Sequence, residues 1–458
     1  MTTTKRENLI EAIKSIVLVV LLITTILLLY SFLGRDVIQN LIADDLFDHE
    51  VVSAEEILQP DRIEVSFGGG AYTVTENIFG AIMESLREFS EIRNLSIEEM
   101  TKERYEEIMS TLSIKAVFDY YVPFNAVCDA NGIGRIPGSD GIDALSQLGY
   151  AVGFDDRLFV YDGRSDKYFR IIGSSSNAFS VLAEAIESSR GSFAFFPLSM
   201  IAGGVENNTL CPISIESDLY DNEYYPESFF ADPVWANDLI RSFFSDNFDF
   251  VRRIEHESGT LIFMYGYGRT VVTAHYNGIL EFKLEEDDRG AVQIRYLDAL
   301  ERANAFIAAH GGLKSYNGEV FSPYIKEVII DPDGRRGFRF IFGIKIDDAR
   351  VYYEKGTPII VDVIGGRVTY YQRHLINPER GERRGPEKRE VFPAINLLAE
   401  NLEKLGDNLS FEELVEKVSA FNIGYVKTES SGGTLSASWI VTIDGLEYYF
   451  GLDTGEMI

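Results

Sequence analysis

The first pattern along the chain is an uncharged apolar run, Ser15–Leu33, reading SIVLVVLLITTILLLYSFL. It has the length of a membrane-spanning helix, about 20 residues. Lys5, Arg6 and Lys14 precede it, only Arg35 follows closely, and Asp36, Asp44, Asp45 and Asp48 come next. Cationic residues stay on the cytoplasmic side. The expected layout is a cytoplasmic stretch at 1–14, a single span at 15–33, a juxtamembrane stalk at 34–59, and all remaining mass outside. A cleaved signal peptide would have a shorter apolar core and a small-residue site; Phe32-Leu33-Gly34-Arg35 is a poor one, and no Cys there accepts a lipid. The span lacks GxxxG, but Thr24 and Ser31 lie on one face with Leu27 and Leu28 between them. In lipid, packing and polar side chains decide which helices pair, so these four residues are the candidate partner contact.

Beyond Pro60 the pattern alternates between strand and helix. Arg62–Phe67 (RIEVSF) reads as a strand that Gly68-Gly69-Gly70 breaks. Helices are expected over 76–91, over 97–112 (Ile97, Met100, Tyr105, Ile108, Met109, with Ser96 and Glu99 as a capping box) and over 179–188. Strands are expected at 114–121, 158–161 and 168–172. Residues 60–200 thus form a first α+β domain.

A helix followed by a strand meander then recurs three times. In the unit at 232–292, Trp235, Leu239 and Phe243 mark the helix, and strands at 261–265, 270–276 and 279–284 follow. Asn277-Gly278 joins the last two, a strong hairpin signal. In the unit at 293–378, Leu297, Leu300, Ala303 and Ile307 form the stripe and Gly311-Gly312 ends it. Strands follow at 325–330, 338–345, 351–353, 358–363 and 367–371. In the unit at 391–458, Pro393 opens a helix bearing Ile395, Leu398, Leu402 and Leu405. A capping box at Ser410 and Glu413 starts a second helix, and strands at 439–443 and 447–452 flank Asp444-Gly445. The charged stretch 379–390 (ERGERRGPEKRE) reads as a solvated linker. The fold class is α+β: one N-terminal transmembrane helix and a multidomain exterior of repeated helix-plus-antiparallel-sheet units.

Composition narrows the function. The 458 residues suffice for roughly two to four domains, and 31 Phe with 24 Tyr can fill several cores. The net charge of −30 speaks against nucleic acid, whose binding needs a cationic surface. Cys128 and Cys211 are the two cysteines; sequence leaves open whether they are bonded.

Motifs for chemistry are missing. His49, His256, His275, His310 and His374 form no HExxH and no close ligand pair. The acidic clusters Glu285–Asp288 and Asp331-Pro332-Asp333-Gly334 lack the register of a calcium loop. There is no G-x-S-x-G and no S-x-x-K, and Gly68–Gly70 lacks a phosphate-loop Lys. No catalytic, cofactor or metal residue is assigned, and the chain is read as a non-enzyme.

The ordered features resemble the YycH family of Gram-positive bacteria. They are Lys5-Arg6-Glu7 with the span, Pro60-Asp61-Arg62-Ile63, Val251-Arg252-Arg253-Ile254 through Gly259-Thr260-Leu261-Ile262, and Phe306-Ile307-Ala308-Ala309-His310-Gly311-Gly312. The ending, Ser438-Trp439-Ile440-Val441 to Tyr448-Tyr449-Phe450 and Thr454-Gly455-Glu456, is similar to the YycH and YycI C-terminal domains, which are PepSY-like. Where the family carries Tyr-x-Asp-Gly-x-Arg, this chain has Tyr265-Gly266-Tyr267-Gly268-Arg269. The resemblance implies an extracytoplasmic regulator of the cell-wall sensor histidine kinase WalK (YycG), acting beside a YycI-like protein through transmembrane-helix and protein contacts, without a cofactor. The Thr24, Leu27, Leu28 and Ser31 face would then meet the kinase's membrane helix. Two competing readings are an exterior inhibitor or chaperone of a protease or wall hydrolase, and an enzyme assembled from distant residues.

Overall fold

The computed structural model describes residue 21 and residues 51–458, except 76–77, 93, 155–156, 174–178, 190–193, 227–232, 286–291, 314–320, 379–388, 407–408 and 429–433. The expected span apart from Leu21, the contact residues Thr24, Leu27, Leu28 and Ser31, His49, and nearly all of the 379–390 linker lie outside the described residues. Among the described residues no helix is long and apolar enough to cross a membrane.

The stalk expected up to residue 59 does not extend that far. Ser53 caps a one-turn helix, α1 (Ala54–Ile57), by accepting from the Glu56 amide. Ile57 and Leu58 are 2% and 0% exposed, and Asn304 donates to the Val52 carbonyl at 3.3 Å. Burying such side chains stabilises by about 1.5–3 kcal/mol each, enough to fasten this stretch to the body.

The first sheet is antiparallel. Its strands are β1 (Arg62–Phe67), β2 (Tyr72–Thr75), β3 (Ser96–Met100), β4 (Leu112–Val117), β5 (Leu145–Ala151), β6 (Arg157–Asp162), β7 (Lys167–Ile172), β8 (Phe195–Pro197) and β9 (Leu210–Pro212), in the order β3-β7-β6-β5-β4-β1-β2-β8-β9. Gly68, Gly69 and Gly70 all take positive φ between β1 and β2, a run that only glycine makes without strain. Helices α2 (Phe79–Ser90), α3 (Lys102–Met109), α4 (Phe124–Ala130), α5 (Ser180–Ser188) and α6 (Leu198–Ile201) complete this half.

The helix expected over 97–112 splits into three pieces. Residues 96–100 form edge strand β3, where Glu98 meets Arg170 at 2.6 Å and Glu99 meets Lys167 at 3.0 Å across to β7. Such cross-strand pairs favour the sheet. The real cap is Thr101, whose side chain accepts from the Arg104 amide, so the Ser96/Glu99 box does not form. Helix α3 ends before β4, which begins at Leu112.

The second sheet carries β11 (Asn222–Pro226), β12 (Arg252–Glu255), β13 (Leu261–Tyr265), β14 (Thr270–Ala274), β15 (Ile279–Leu284), β16 (Ser322–Ile330), β17 (Gly337–Ile346), β18 (Ala349–Tyr353), β19 (Ile359–Ile364), β20 (Arg367–His374), β21 (Ile376–Pro378), β23 (Val418–Lys427), β24 (Thr434–Ile443) and β25 (Leu446–Gly451). A two-residue pair, β10 (Glu216–Ser217) with β22 (Arg389–Glu390), stands apart. The path is β12-β13-β14-β15-β20-β19-β17-β18-β23-β24-β11-β21, with β16 beside β17 and β25 beside β24. The β18–β23 pairing is parallel and joins the last unit to the one before it. The three helix-plus-strand units therefore share one hydrogen-bonded sheet.

Helices α7 (Pro233–Ser242), α8 (Tyr296–Ala309), α9 (Ala394–Glu400), α10 (Leu402–Leu405) and α11 (Phe411–Glu416) accompany these units. The expected stripe on α8 is present: Leu300, Ala303 and Ile307 are buried and Leu297 is partly so. The Ser410/Glu413 capping box forms in full. The helix after Pro393 is instead broken at Asn401, whose side-chain amide donates to the Leu397 and Gly455 carbonyls.

Two main cores result. One runs from the first sheet into the second, joining Ile63, Phe124, Leu300 and Phe340. The other joins Leu198 and Cys211 to Leu398, Leu414, Trp439 and Phe450.

Candidate functional site

A cleft of ≈1530 Å³ opens where β1, β2 and α3 face β9, β18 and β23. The alternation of RIEVSF puts Glu64 and Ser66 on the face opposite Ile63 and Val65. In the fold both faces of β1 are covered, and Glu64 and Ser66 are 7% and 1% exposed. A buried carboxylate must be paired. Glu64 receives Arg62 Nε at 2.9 Å on one oxygen and Lys115 Nζ at 2.9 Å on the other. Burial favours the neutral acid, but Lys115 and Arg62 outweigh it and hold the Glu64 carboxyl below its ordinary range.

A second ion pair crosses from the first sheet to the second. Arg350 of β18 donates to Asp61 Oδ1 at 2.8 Å and to the Asp61 carbonyl at 3.1 Å. The Asp119 amide donates to Asp61 Oδ2 at 2.7 Å. The Arg350 guanidinium also lies 4.5 Å from the centre of the Tyr324 ring, a cation–π distance. Burial pushes the Asp61 carboxyl above its ordinary range, and Arg350 offsets only part of that. For Arg350 burial opposes the charge, yet Asp61 more than restores it and the guanidinium is held up. Tyr105 of α3 donates to Gln147 Oε1 at 2.9 Å. Burial, with the Glu64 charge beside it, drives its hydroxyl well above the usual tyrosine range.

Each oxygen of Glu64 and of Asp61 thus accepts a hydrogen bond from within the fold. Both carboxylates are occupied by structural contacts. Cys128 and Cys211 are free and buried in separate cores, and burial pushes each thiol up to about 12, far from a nucleophile's range. His310 is clamped between the rings of Phe243 and Phe306, with centroids 4.1 and 4.0 Å away. Its Nδ1 lies 2.7 Å from the Phe306 carbonyl, and burial lowers its pKa to about 4. Among the described residues no group of three or more His, Cys, Asp and Glu is placed to hold a metal ion.

The segments that carried the family resemblance fall at defined places. Pro60–Ile63 enters β1 and supplies Asp61 and Arg62 to the cleft. Tyr265–Arg269 is the β13–β14 turn, with Gly266, Tyr267 and Gly268 all at positive φ and Tyr267 fully exposed. Phe306–Gly312 ends α8, where the Gly312 amide donates to the Ile307 carbonyl. Sequence reasoning missed Glu64, Lys115 and Arg350 as members of the cleft. The Pro60–Ile63 resemblance was the one signal near it.

Fold and site together define a two-sheet α+β protein whose halves are joined across a polar cleft by the buried Asp61–Arg350 ion pair. Among solved structures, the fold is similar to the crystal structure of YycH from Bacillus subtilis. The TM-score is 0.59 at 10% sequence identity, and the match covers 88% of this chain and 98% of that one. No protein-family model and no curated protein matches the chain by sequence. At this identity the likeness is one of fold.

Proposed function

We propose that this protein is a membrane-anchored, extracytoplasmic accessory regulator of a two-component sensor histidine kinase controlling cell-wall metabolism. It works by contact rather than catalysis, beside a YycI-like protein, and its single N-terminal helix both anchors it and meets the kinase. The observation that carries this reading is the fold likeness to YycH, which extends over 88% of the chain and not over one module of it. The apolar run at 15–33 with its cationic flank supports the anchor and its orientation. The closed hydrogen bonding of Glu64 and Asp61 supports contact over chemistry.

The test is purification of the intact protein from its native membrane, with identification of what comes with it. A sensor histidine kinase and a YycI-like protein are expected. Recovery of a protease or wall hydrolase in their place would overturn the reading in favour of an inhibitor or chaperone.

A further inference from the structure

We infer that the cleft takes up an extended cationic peptide, which adds as a strand to the open edge of β23 at Phe421–Ile423. The inference stands apart from the kinase reading, because it rests on this cleft alone.

Strand β23 is paired with β24 along nearly its whole length. Its other edge is paired with β18 only at the far end, where Val351, Tyr352 and Tyr353 meet Tyr425, Val426 and Lys427. The Glu354 amide donates to the Lys427 carbonyl, so main-chain groups at Lys427 and every second residue before it face the β18 side. Phe421 and Ile423 therefore turn their N–H and C=O groups toward the cleft, whose wall they form. No described strand pairs with them there. The chain crowds the edge just beside this point: a Cβ on Gly424 would clash with the Arg350 carbonyl. Ahead of it no described strand is hydrogen-bonded to the edge until Val418, whose carbonyl accepts from the Asn207 side-chain amide and the Thr209 hydroxyl beside β9.

Unpaired edges are commonly blunted by charge, proline or a short length. Phe421, Asn422 and Ile423 carry no charge, and a cleft lies alongside them. Its ≈1530 Å³ exceeds the roughly 300–1,000 Å³ of small-molecule sites. Strand addition draws affinity from main-chain hydrogen bonds and specificity from alternate side chains. Phe421 and Ile423 are half-buried on the C-terminal core and favour apolar residues at every second position of the guest.

Charge selects the remaining positions. The lining holds six carboxylates against three cations, and two of the six, Glu106 and Glu107, pair with Lys102 and Arg104 next to it. All three cations, Arg62, Lys115 and Arg350, are tied to Glu64 or Asp61. Glu103 and Asp348 on the rim are exposed, so the uncompensated field is negative and a guest with Lys or Arg complements it.

The experiment uses the full chain in detergent and three fluorescent peptides. One alternates Lys and Val, one alternates Glu and Val, and one is the Lys–Val peptide with every second amide N-methylated. The Lys–Val peptide is expected to bind, to weaken with salt, and to slow amide exchange at Phe421–Ile423. Paired Glu103→Lys and Asp348→Lys changes, both at exposed positions, are expected to weaken it about ten-fold at low salt. Equal binding of the N-methylated peptide, equal binding of the Glu–Val peptide, or absence of binding would each overturn the inference. So would binding without protection of that edge.

Discussion

Two of the buried ion-pair clusters among the described residues do different jobs. In the second sheet, Asp362 is fully buried and receives Arg339 at 2.6 and 2.8 Å, with Arg335 at 3.3 Å. Arg339 and Asp362 lie directly opposite each other on β17 and β19, so this cluster is part of one sheet's register. At the cleft, Asp61 and Arg350 come from different sheets and lie far apart in the chain, and both are mostly buried, at 9% and 18% side-chain exposure. The first cluster fixes which residues face each other within a sheet. The second fixes how the two sheets meet. A one-residue slip would strand Asp362 without a partner, whereas losing Asp61 leaves both sheets intact and loosens their seam.

Breaking the register cluster has the largest expected effect. Asp362→Ala leaves Arg339 without its bidentate partner and is expected to cost about 3–5 kcal/mol, the range for a broken buried pair. Chemical denaturation of a fragment covering residues 51–458 checks this. A loss below about 1 kcal/mol would show that the pair carries no register.

The next effect is set by pH and uses a buried group that belongs to neither cluster. His310 has a folded pKa near 4 against 6.5 unfolded. A lowered cation pKa means that the unfolded chain binds the proton more readily, so stability is full above pH 6.5 and is lost as pH falls toward 4. Between pH 7 and pH 5 this amounts to about 2 kcal/mol. His310→Gln is expected to remove that part of the acid slope. An unchanged slope would contradict the burial of the imidazole. Glu64 adds to acid loss at lower pH, because its lowered pKa stabilises above 4.5 and that contribution fades below it. Asp61, with its pKa raised, acts in the opposite sense.

The seam pair comes third. Asp61→Ala is expected to cost about 1–3 kcal/mol, the penalty of an unsatisfied, partly buried charge. The double variant with Arg350→Met should recover part of it. Amide exchange should rise at the first-sheet residues lining the cleft while the β17–β19 core stays protected. Equal loosening everywhere would erase the distinction between the two clusters. The smallest effect belongs to the exposed β3–β7 pair: Glu98→Ala should change stability by about 0.5 kcal/mol or less, as read from the same denaturation curves.

The contrast also explains what the sequence made legible. Short-range features came through: the Asn277-Gly278 hairpin, the α8 stripe and the Ser410/Glu413 cap each depend on residues a few positions apart. The misreading of 97–112 arose because Ile97 and Met100 fit a helical stripe extending from Tyr105, while cross-strand partners at Lys167 and Arg170 decided for a strand. Glu64 went unremarked because strand alternation says nothing of what covers the second face. The helix at Phe124–Ala130 and strands β5 and β23 went unread. The cleft drew its charges from positions as distant as Asp61 and Arg350, and no local pattern marks such a pairing. Arg339 and Asp362 are nearer in the chain, but their match depends on the register of strands that sequence located only to within a few residues.

The proposed function has the protein regulate a sensor kinase through a specific face of its N-terminal helix. The most direct test replaces residues 16–33 with an unrelated apolar span of equal length, leaving both flanks unchanged, and measures kinase-dependent transcription and kinase co-purification at matched protein levels. The account predicts that both fall, because Thr24, Leu27, Leu28 and Ser31 are lost as a contact surface. Unchanged transcription and unchanged co-purification would contradict it and reduce the helix to an anchor.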